Sequence, residues 1–283
     1  MPAMRLKPAL VLAPLVLSLL ACAPQKEAKT VTEVDSCATD QLALLTPGKL
    51  TIGTDSPAYP PWFEDDDPTN GKGFESAVAY AVAKQLGFDA ADVTWVKVPF
   101  NNSYAPGVKK FDFDINQISI TPAREKVVDF SDGYYTAAQA VITLKSKADT
   151  AASLAALKDL KLGAQTGTTS LTAIRDDIQP SQQPLVFDNT NAAKQALLNG
   201  QVDAIVADLP TAFYITSVEI PKGTITGQFQ ASGDPEEFGL LLEKGNELLP
   251  CVDKALQTLT SDGTLDTIQQ KWLSDVVDVP VLQ

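Results

Sequence analysis

Two stretches decide the fold: "GKLTIGTDS", Gly48 to Ser56, and "DLKLGAQTGTTS", Asp159 to Ser170. Each opens on a Lys-Leu pair, runs on as a short β-rich segment, meets a glycine and ends in polar residues where a turn is due. A second pair extends the likeness. "PGVKKFDFDINQISITP", Pro106 to Pro122, is echoed by "NAAKQALLNGQVDAIVADLP", Asn191 to Pro210, with Asp203-Ala204-Ile205 standing where Asp114-Ile115-Asn116 stood. The chain is therefore read as two copies of one α/β scheme. Both copies end their strands in polar side chains, and ligands of open α/β sheets bind outside the carboxyl ends of strands. Two such lobes face to face make a cleft.

Outward from these stretches, strand and helix patterns alternate. "GFESAVAYAVAKQLGF" (73–88) sets Phe74, Ala77, Val78, Ala81 and Val82 at helical spacing, with Gly87 as its stop. "VTWVKVPF" (93–100), "FDFDINQISI" (111–120) and "AQAVITLKS" (138–146) read as strands. Thr121-Pro122 reads as a cap with proline at the first helical position, which puts Arg124 in a first helical turn. A cation is mildly disfavoured there, so an anion is expected to meet it. "EFGLLLEKGN" (237–246) reads as a buried strand, and "LPCVDKALQTLTSDG" (249–263) as a helix with Val252, Ala255, Leu256 and Leu259 on one face. "GTLDTIQQKWL" (263–273) reads as a last helix. Lobe crossings are expected near Val141 to Ser146 and near Gln230 to Glu237, and two crossings make a hinge. Lobe 1 is then 37–142 with 233–283 returning to it, and lobe 2 is 143–232.

The chain has 283 residues, 45% of them hydrophobic and 20% charged, with a net charge of −13 and no histidine. Such a composition builds a globular core. It excludes a nucleic-acid partner, because phosphate binding needs clustered Lys and Arg. It also lacks the commonest metal ligand and general base. At the N-terminus, Arg5 and Lys7 precede the apolar run "PALVLAPLVLSLLA" and small Ala21 precedes Cys22, the layout of an export signal. "LLAC", Leu19 to Cys22, resembles a bacterial lipobox, which implies a signal peptide over 1–21, a lipid-bearing Cys22 and membrane attachment. The polar stretch 22–36 then reads as a tether. Of the three cysteines, Cys37 and Cys251 remain, and an even pair in an exported chain reads as a disulfide. No Cys or His grouping suits zinc. The "EDDDP" run at 64–68 reads as a solvated turn, and no cofactor is called for.

"KLTIGTDSPAYPPW", "ISITPAREKVVDFSDGYY", "LGAQTGTTS", "NGQVDAIVADLP" and "DGTLDTIQQKWL" together resemble the polar amino acid binding proteins of ABC importers, bacterial extracellular solute-binding protein family 3. The resemblance spans Cys37 to Val277. It implies a two-lobe periplasmic-binding-protein-like fold of type II, each lobe a mixed sheet flanked by helices. It implies Arg124 as the bidentate clamp on a ligand α-carboxylate, and Gln117 and Ser119 as strand-end contacts. Thr168 and Thr169 supply amides for the second carboxylate oxygen, and Asp208 receives the α-ammonium. Asp55, Tyr59, Trp62 and Phe100 select the side chain, with the register of Trp62 against Phe63 left open by an extra residue between Asp55 and Tyr59. An acid at Asp55 leans toward a cationic or polar guest. The implied partners are a free amino acid and ABC permease subunits, the receptor itself being a monomer held outside the cytoplasm by its lipid.

Two other classes fit the pattern less well. An enzyme on this fold, such as a cyclohexadienyl dehydratase, would place acid-base work on Asp55 or Glu75. A sensor ectodomain would continue into a membrane helix, and nothing after Val277 is long enough for one.

Overall fold

The computed structural model describes residues 37–229, 235–273 and 279–282. The expected signal peptide, tether and lipid-bearing Cys22 lie outside the described residues.

Elements follow in chain order as β1 (Leu50–Thr54), α1 (Phe74–Gln85), β2 (Val93–Lys97), α2 (Phe100–Ser103), β3 (Phe113–Asp114) and β4 (Val128–Ala137). Then come β5 (Gln139–Leu144), α3 (Leu154–Leu157), β6 (Leu162–Gln165), α4 (Thr169–Ala173), β7 (Leu185–Phe187), α5 (Thr190–Leu198), β8 (Ala204–Asp208), α6 (Leu209–Tyr214) and β9 (Gly223–Phe229). The chain returns through β10 (Glu236–Glu243), α7 (Leu249–Ser261) and α8 (Thr264–Leu273).

The two sheets share one plan. Their orders are β2-β1-β3-β10-β4 and β7-β6-β8-β5-β9. In each, the second strand runs parallel to both neighbours, and a strand from a lobe crossing adds antiparallel beside the third. The duplication is thus real in the backbone, although its register differs from the sequence pairing. Asp112, not Asp114, is the counterpart of Asp203. Asp112 N donates to Thr51 O (2.7 Å) while its carboxylate accepts from Thr51 N (2.6 Å). Asp203 N donates to Lys161 O (2.7 Å) and its carboxylate accepts from Lys161 N (2.9 Å). An acid at the strand entry that closes this ring with its neighbour carries the likeness, and the sequence alignment was two residues out.

In lobe 1, α1, α7 and α8 cover the sheet with Phe74, Val78, Val82, Leu256 and Leu259. The α7 face buries Val252, Ala255, Leu256 and Leu259 at helical spacing. Cys37 and Cys251 meet at this core with Cα atoms 5.5 Å apart, inside the range a disulfide requires. Lobe 2 packs α4 against β6 and β8 through Leu171, Ala164 and Val206, and α5 against β5 and β8 through Ala196, Leu197 and Ile205.

Three expectations are corrected. The first crossing lies at Ala137–Gln139, because Val141 to Leu144 are already paired in the lobe 2 sheet with β8 and β9. The boundary at 142/143 was therefore placed several residues late. The assignment of all of 233–283 to lobe 1 fails for 279–282, which lie on the outer edge of β9 in lobe 2: Gln228 N donates to Pro280 O (2.7 Å) and Leu282 N to Gln228 O (2.8 Å). Leu282 is buried there, filling the space that a side chain at Gly227 would take. Finally, no helix follows Thr121-Pro122. The cap forms, with Arg124 N donating to Thr121 Oγ1 (3.3 Å), but after one turn Val127 N and Val128 N both close on Arg124 O and the chain leaves as β4. The pull on Val128 is its sheet pairing with Glu243.

Candidate functional site

A cavity of about 290 Å³ lies between the lobes at the carboxyl ends of β1, β6 and β8. From lobe 1 its wall takes Asp55, Tyr59, Phe63, Phe100, Asn116 and Gln117. Lobe 2 contributes Gln165, Thr168, Ser170, Asp188, Asp208 and Thr211. Of the residues expected to bind ligand, six therefore share one cavity: Asp55, Tyr59, Phe100, Gln117, Thr168 and Asp208. Ser119, Arg124, Trp62 and Thr169 stand behind it.

Each wall residue is held by local structure. Asp55 follows β1, and its carboxylate accepts from Ser56 N (2.6 Å) and Phe100 N (3.2 Å), which ties the strand end to α2. Gln117 has φ 48°, and its backbone N donates to Glu75 Oε1 at 2.7 Å while its side chain also bonds Glu75. Glu75 is fully buried and also receives Tyr134 OH. Burial pushes its carboxyl up to about 7 against the pull of those donors. Thr168 caps α4 by accepting from Leu171 N (3.1 Å). Tyr59 has its phenol raised to about 12 by burial and by Asp55. Lys194 of lobe 2 lies 5.6 Å from the Tyr59 ring while pairing with Glu219 at 2.6 Å.

Trp62 resolves the open register. Its ring is fully buried in lobe 1 between Phe74, Tyr135 and Phe238, at centroid distances of 5.9, 5.5 and 5.7 Å. Phe63 touches the cavity wall, with its ring buried edge-on to Trp95 at 6.0 Å. Yet Trp62 Nε1 reaches across to donate to Thr211 Oγ1 (2.8 Å), so the ring acts as a latch between the lobes.

Arg124 is 8% exposed and packs against the edge-on pair Phe100 and Tyr104, its guanidinium carbon 5.6 and 4.6 Å from the ring centres. Nη1 donates to Ser119 O (2.7 Å) and Nη2 crosses the cleft to Gly167 O (2.9 Å). Tyr104 OH donates to Asn101 Oδ1 (2.5 Å) and lies 3.3 Å from that same carbonyl. Gly167 has φ +75°, and a Cβ there would fall 2.0 Å from Asn101 Oδ1, so only glycine permits this approach. Ser119 Oγ lies 3.3 Å from Thr169 Oγ1 of lobe 2 and donates to Glu236 Oε1 (2.5 Å).

Asp208, at the end of β8, accepts from Gln139 Nε2 (3.0 Å). Burial, with the like charge of Glu236 and then Glu75, pushes its carboxyl up to about 8, against the Gln139 bond and Arg124. Gln139 and Glu236 went unnoticed in the sequence. They stand at the two crossing points, where only the folded hinge brings them together, and no spacing signals that meeting.

With the cleft, its acid and its arginine in view, the family model for bacterial extracellular solute-binding proteins, family 3, matches residues 50–275. The chain belongs to that family. Its members are solute-binding receptors, and this chain is one of them and not an enzyme. It is similar to the ABC transporter arginine-binding protein 1 of Escherichia coli K12, at 31% identity over 232 residues, covering 79% of this chain and 90% of the relative. It is similar also to the L-cystine-binding protein TcyJ of Escherichia coli K12, at 29% identity over 228 residues, covering 80% and 82%. Among solved structures, an ancestral arginine-binding protein bound to arginine shares the fold with TM-score 0.67 and 36% identity, over 80% of this chain and 98% of that one.

Proposed function

We propose that the protein is a monomeric receptor, held outside the cytoplasm by lipid on Cys22 and closed at its base by a Cys37–Cys251 disulfide. It captures a free polar or cationic L-amino acid between its lobes and hands it to an ABC permease. The observation that carries this reading is the interlobe cavity with acid and arginine on opposite lobes: Asp208 on its wall and Arg124 just behind. A zwitterion answers both charges at once, and only a guest that touches both lobes favours the shut state by its differential affinity. In this reading the guest's carboxylate takes over the Arg124 Nη2 donor now used by Gly167 O, with Thr168 and Thr169 alongside. The ammonium goes to Asp208. Arginine and cystine, the guests named for two relatives, each carry a second positive group beyond the α-carbon. Asp55 and Asp188 on this wall suit such a group, and Tyr59, Phe63 and Phe100 suit its aliphatic stem.

Titration calorimetry against the free L-amino acids tests it. At least one should bind with a Kd in the micromolar range or tighter, roughly −8 kcal/mol. Failure of the whole panel, with the protein folded, overturns the proposal.

A further inference from the structure

Gln139 has a fixed orientation that follows from its neighbours. It is fully buried at the first crossing. Its side-chain nitrogen lies 3.0 Å from Asp208 Oδ1 and 2.9 Å from Glu236 Oε2. Glu236 as a carboxylate only accepts, and Asp208 accepts through Oδ1 even when a proton sits on its other oxygen, so the NH₂ faces both acids, one hydrogen to each. With a single acid the amide could turn over; with two on one side the flipped form would set its carbonyl against both. Gln139 Oε1 is thereby forced toward Ser170, whose hydroxyl lies 2.6 Å away and must donate. A serine hydroxyl has one proton. Ser170, 4% exposed and on the cavity wall, is left with lone pairs alone to offer a guest.

We infer that Gln139 and Glu236 are positioning residues that make Ser170, and Asp208 once the guest has displaced its proton, an acceptor-only corner, which selects an ammonium over a hydroxyl at the guest's α-carbon. This rests on the amino acid reading proposed above and adds to it two hinge residues that touch no ligand. The same logic applies to Ser119, whose proton is given to Glu236 at 2.5 Å. An α-hydroxy acid could still donate once to this corner. An ammonium can serve Asp208 and Ser170 together and brings the opposite charge.

The test uses the full chain with L-arginine, L-glutamine and L-cystine as probes, each beside its α-hydroxy counterpart, measured by calorimetry. Wild type should bind at least one amino acid and prefer it over its hydroxy counterpart by 100-fold or more. Gln139→Leu frees the Ser170 proton to rotate inward, so amino acid affinity should fall about 10- to 100-fold. Affinity for the hydroxy counterpart should fall less than about 3-fold, collapsing the preference. In a Ser170→Ala background the Gln139→Leu effect should shrink to the part carried by Asp208. Equal losses for both guests, or full additivity of the two substitutions, would make Gln139 a merely structural residue and overturn the inference. If wild type binds no amino acid at all, it is the receptor reading that falls, and the corner falls with it.

Discussion

Replacing Asp208 by asparagine tests whether guest binding must expel a proton. The Asp208 carboxyl is pushed up to about 8 by burial first, then by Glu236 and Glu75, while the Gln139 bond and Arg124 pull the other way. The Tyr135 phenol also faces it and is itself raised. The empty protein at pH 6 to 7 therefore holds a proton on Asp208, whereas an ammonium guest needs the carboxylate. Below about pH 8 each unit of rising pH should tighten binding by up to tenfold, about 50-fold in all from pH 6 to 8, and the gain should level off beyond. Calorimetry at pH 7 in two buffers of unlike ionisation enthalpy should show about 0.9 proton released per guest, the fraction protonated for a group near 8. Asp208→Asn should weaken binding at least 100-fold and abolish the proton release. Stability moves the opposite way. The folded group takes up protons that the unfolded chain surrenders above its ordinary value of 3.8, so this residue's contribution to empty-protein stability falls as pH rises from about 4 to 8, on the order of 1 kcal/mol per unit. The asparagine variant should accordingly melt higher than wild type at pH 8 without ligand. Affinity independent of pH between 6 and 8, with no proton release, would refute the assignment of Asp208 as the ammonium acceptor.

Three further outcomes are expected. Arg124→Lys keeps a positive charge but loses the planar fork, and the Kd for the best guest should rise about 10- to 100-fold; unchanged affinity by calorimetry would remove Arg124 from the site. Trp62→Phe keeps the core ring and removes the 2.8 Å bond to Thr211, so stopped-flow release of the guest should quicken about 5-fold with little change in capture rate. Opening the Cys37–Cys251 link with a Cys37→Ser and Cys251→Ser pair frees a loop of sequence separation 214, which the chain-entropy model values at about 5 kcal/mol as an upper figure; urea unfolding at matched pH reads the loss, and equal midpoints would mean the native link carries no such gain.

The parts of the fold legible in sequence were those whose pattern is local. β1, α1, β6, β8 and α7 announce themselves by apolar spacing and by the turn residues that close them. Where tertiary pairing decides, the pattern misleads. The Thr121-Pro122 cap is genuine, yet sheet pairing at Val128 draws the chain out after one turn. β4 has no clean alternation, its burial running irregularly along Val128–Ala137, so the strand that ends at the hinge was absorbed into its neighbours. At the site, Asp55, Tyr59, Phe100, Gln117, Thr168 and Asp208 were legible because the resemblance to family 3 carries each onto a matching position. Gln139, Glu236 and Ser170 carry no such mark: Gln139 and Glu236 are 97 residues apart and meet only where two crossing strands lie side by side.

The short segment 279–282 has a consequence for anyone who trims the chain. It occupies the outer rim of β9, and Leu282 fills the notch at Gly227. Cut back to residue 273, the protein would keep every cavity residue but expose a bare strand edge beside an empty apolar slot, a template on which other chains can pair. Such a truncation should still bind its guest when fresh and clump on storage, a fault easily blamed on the wrong end of the molecule.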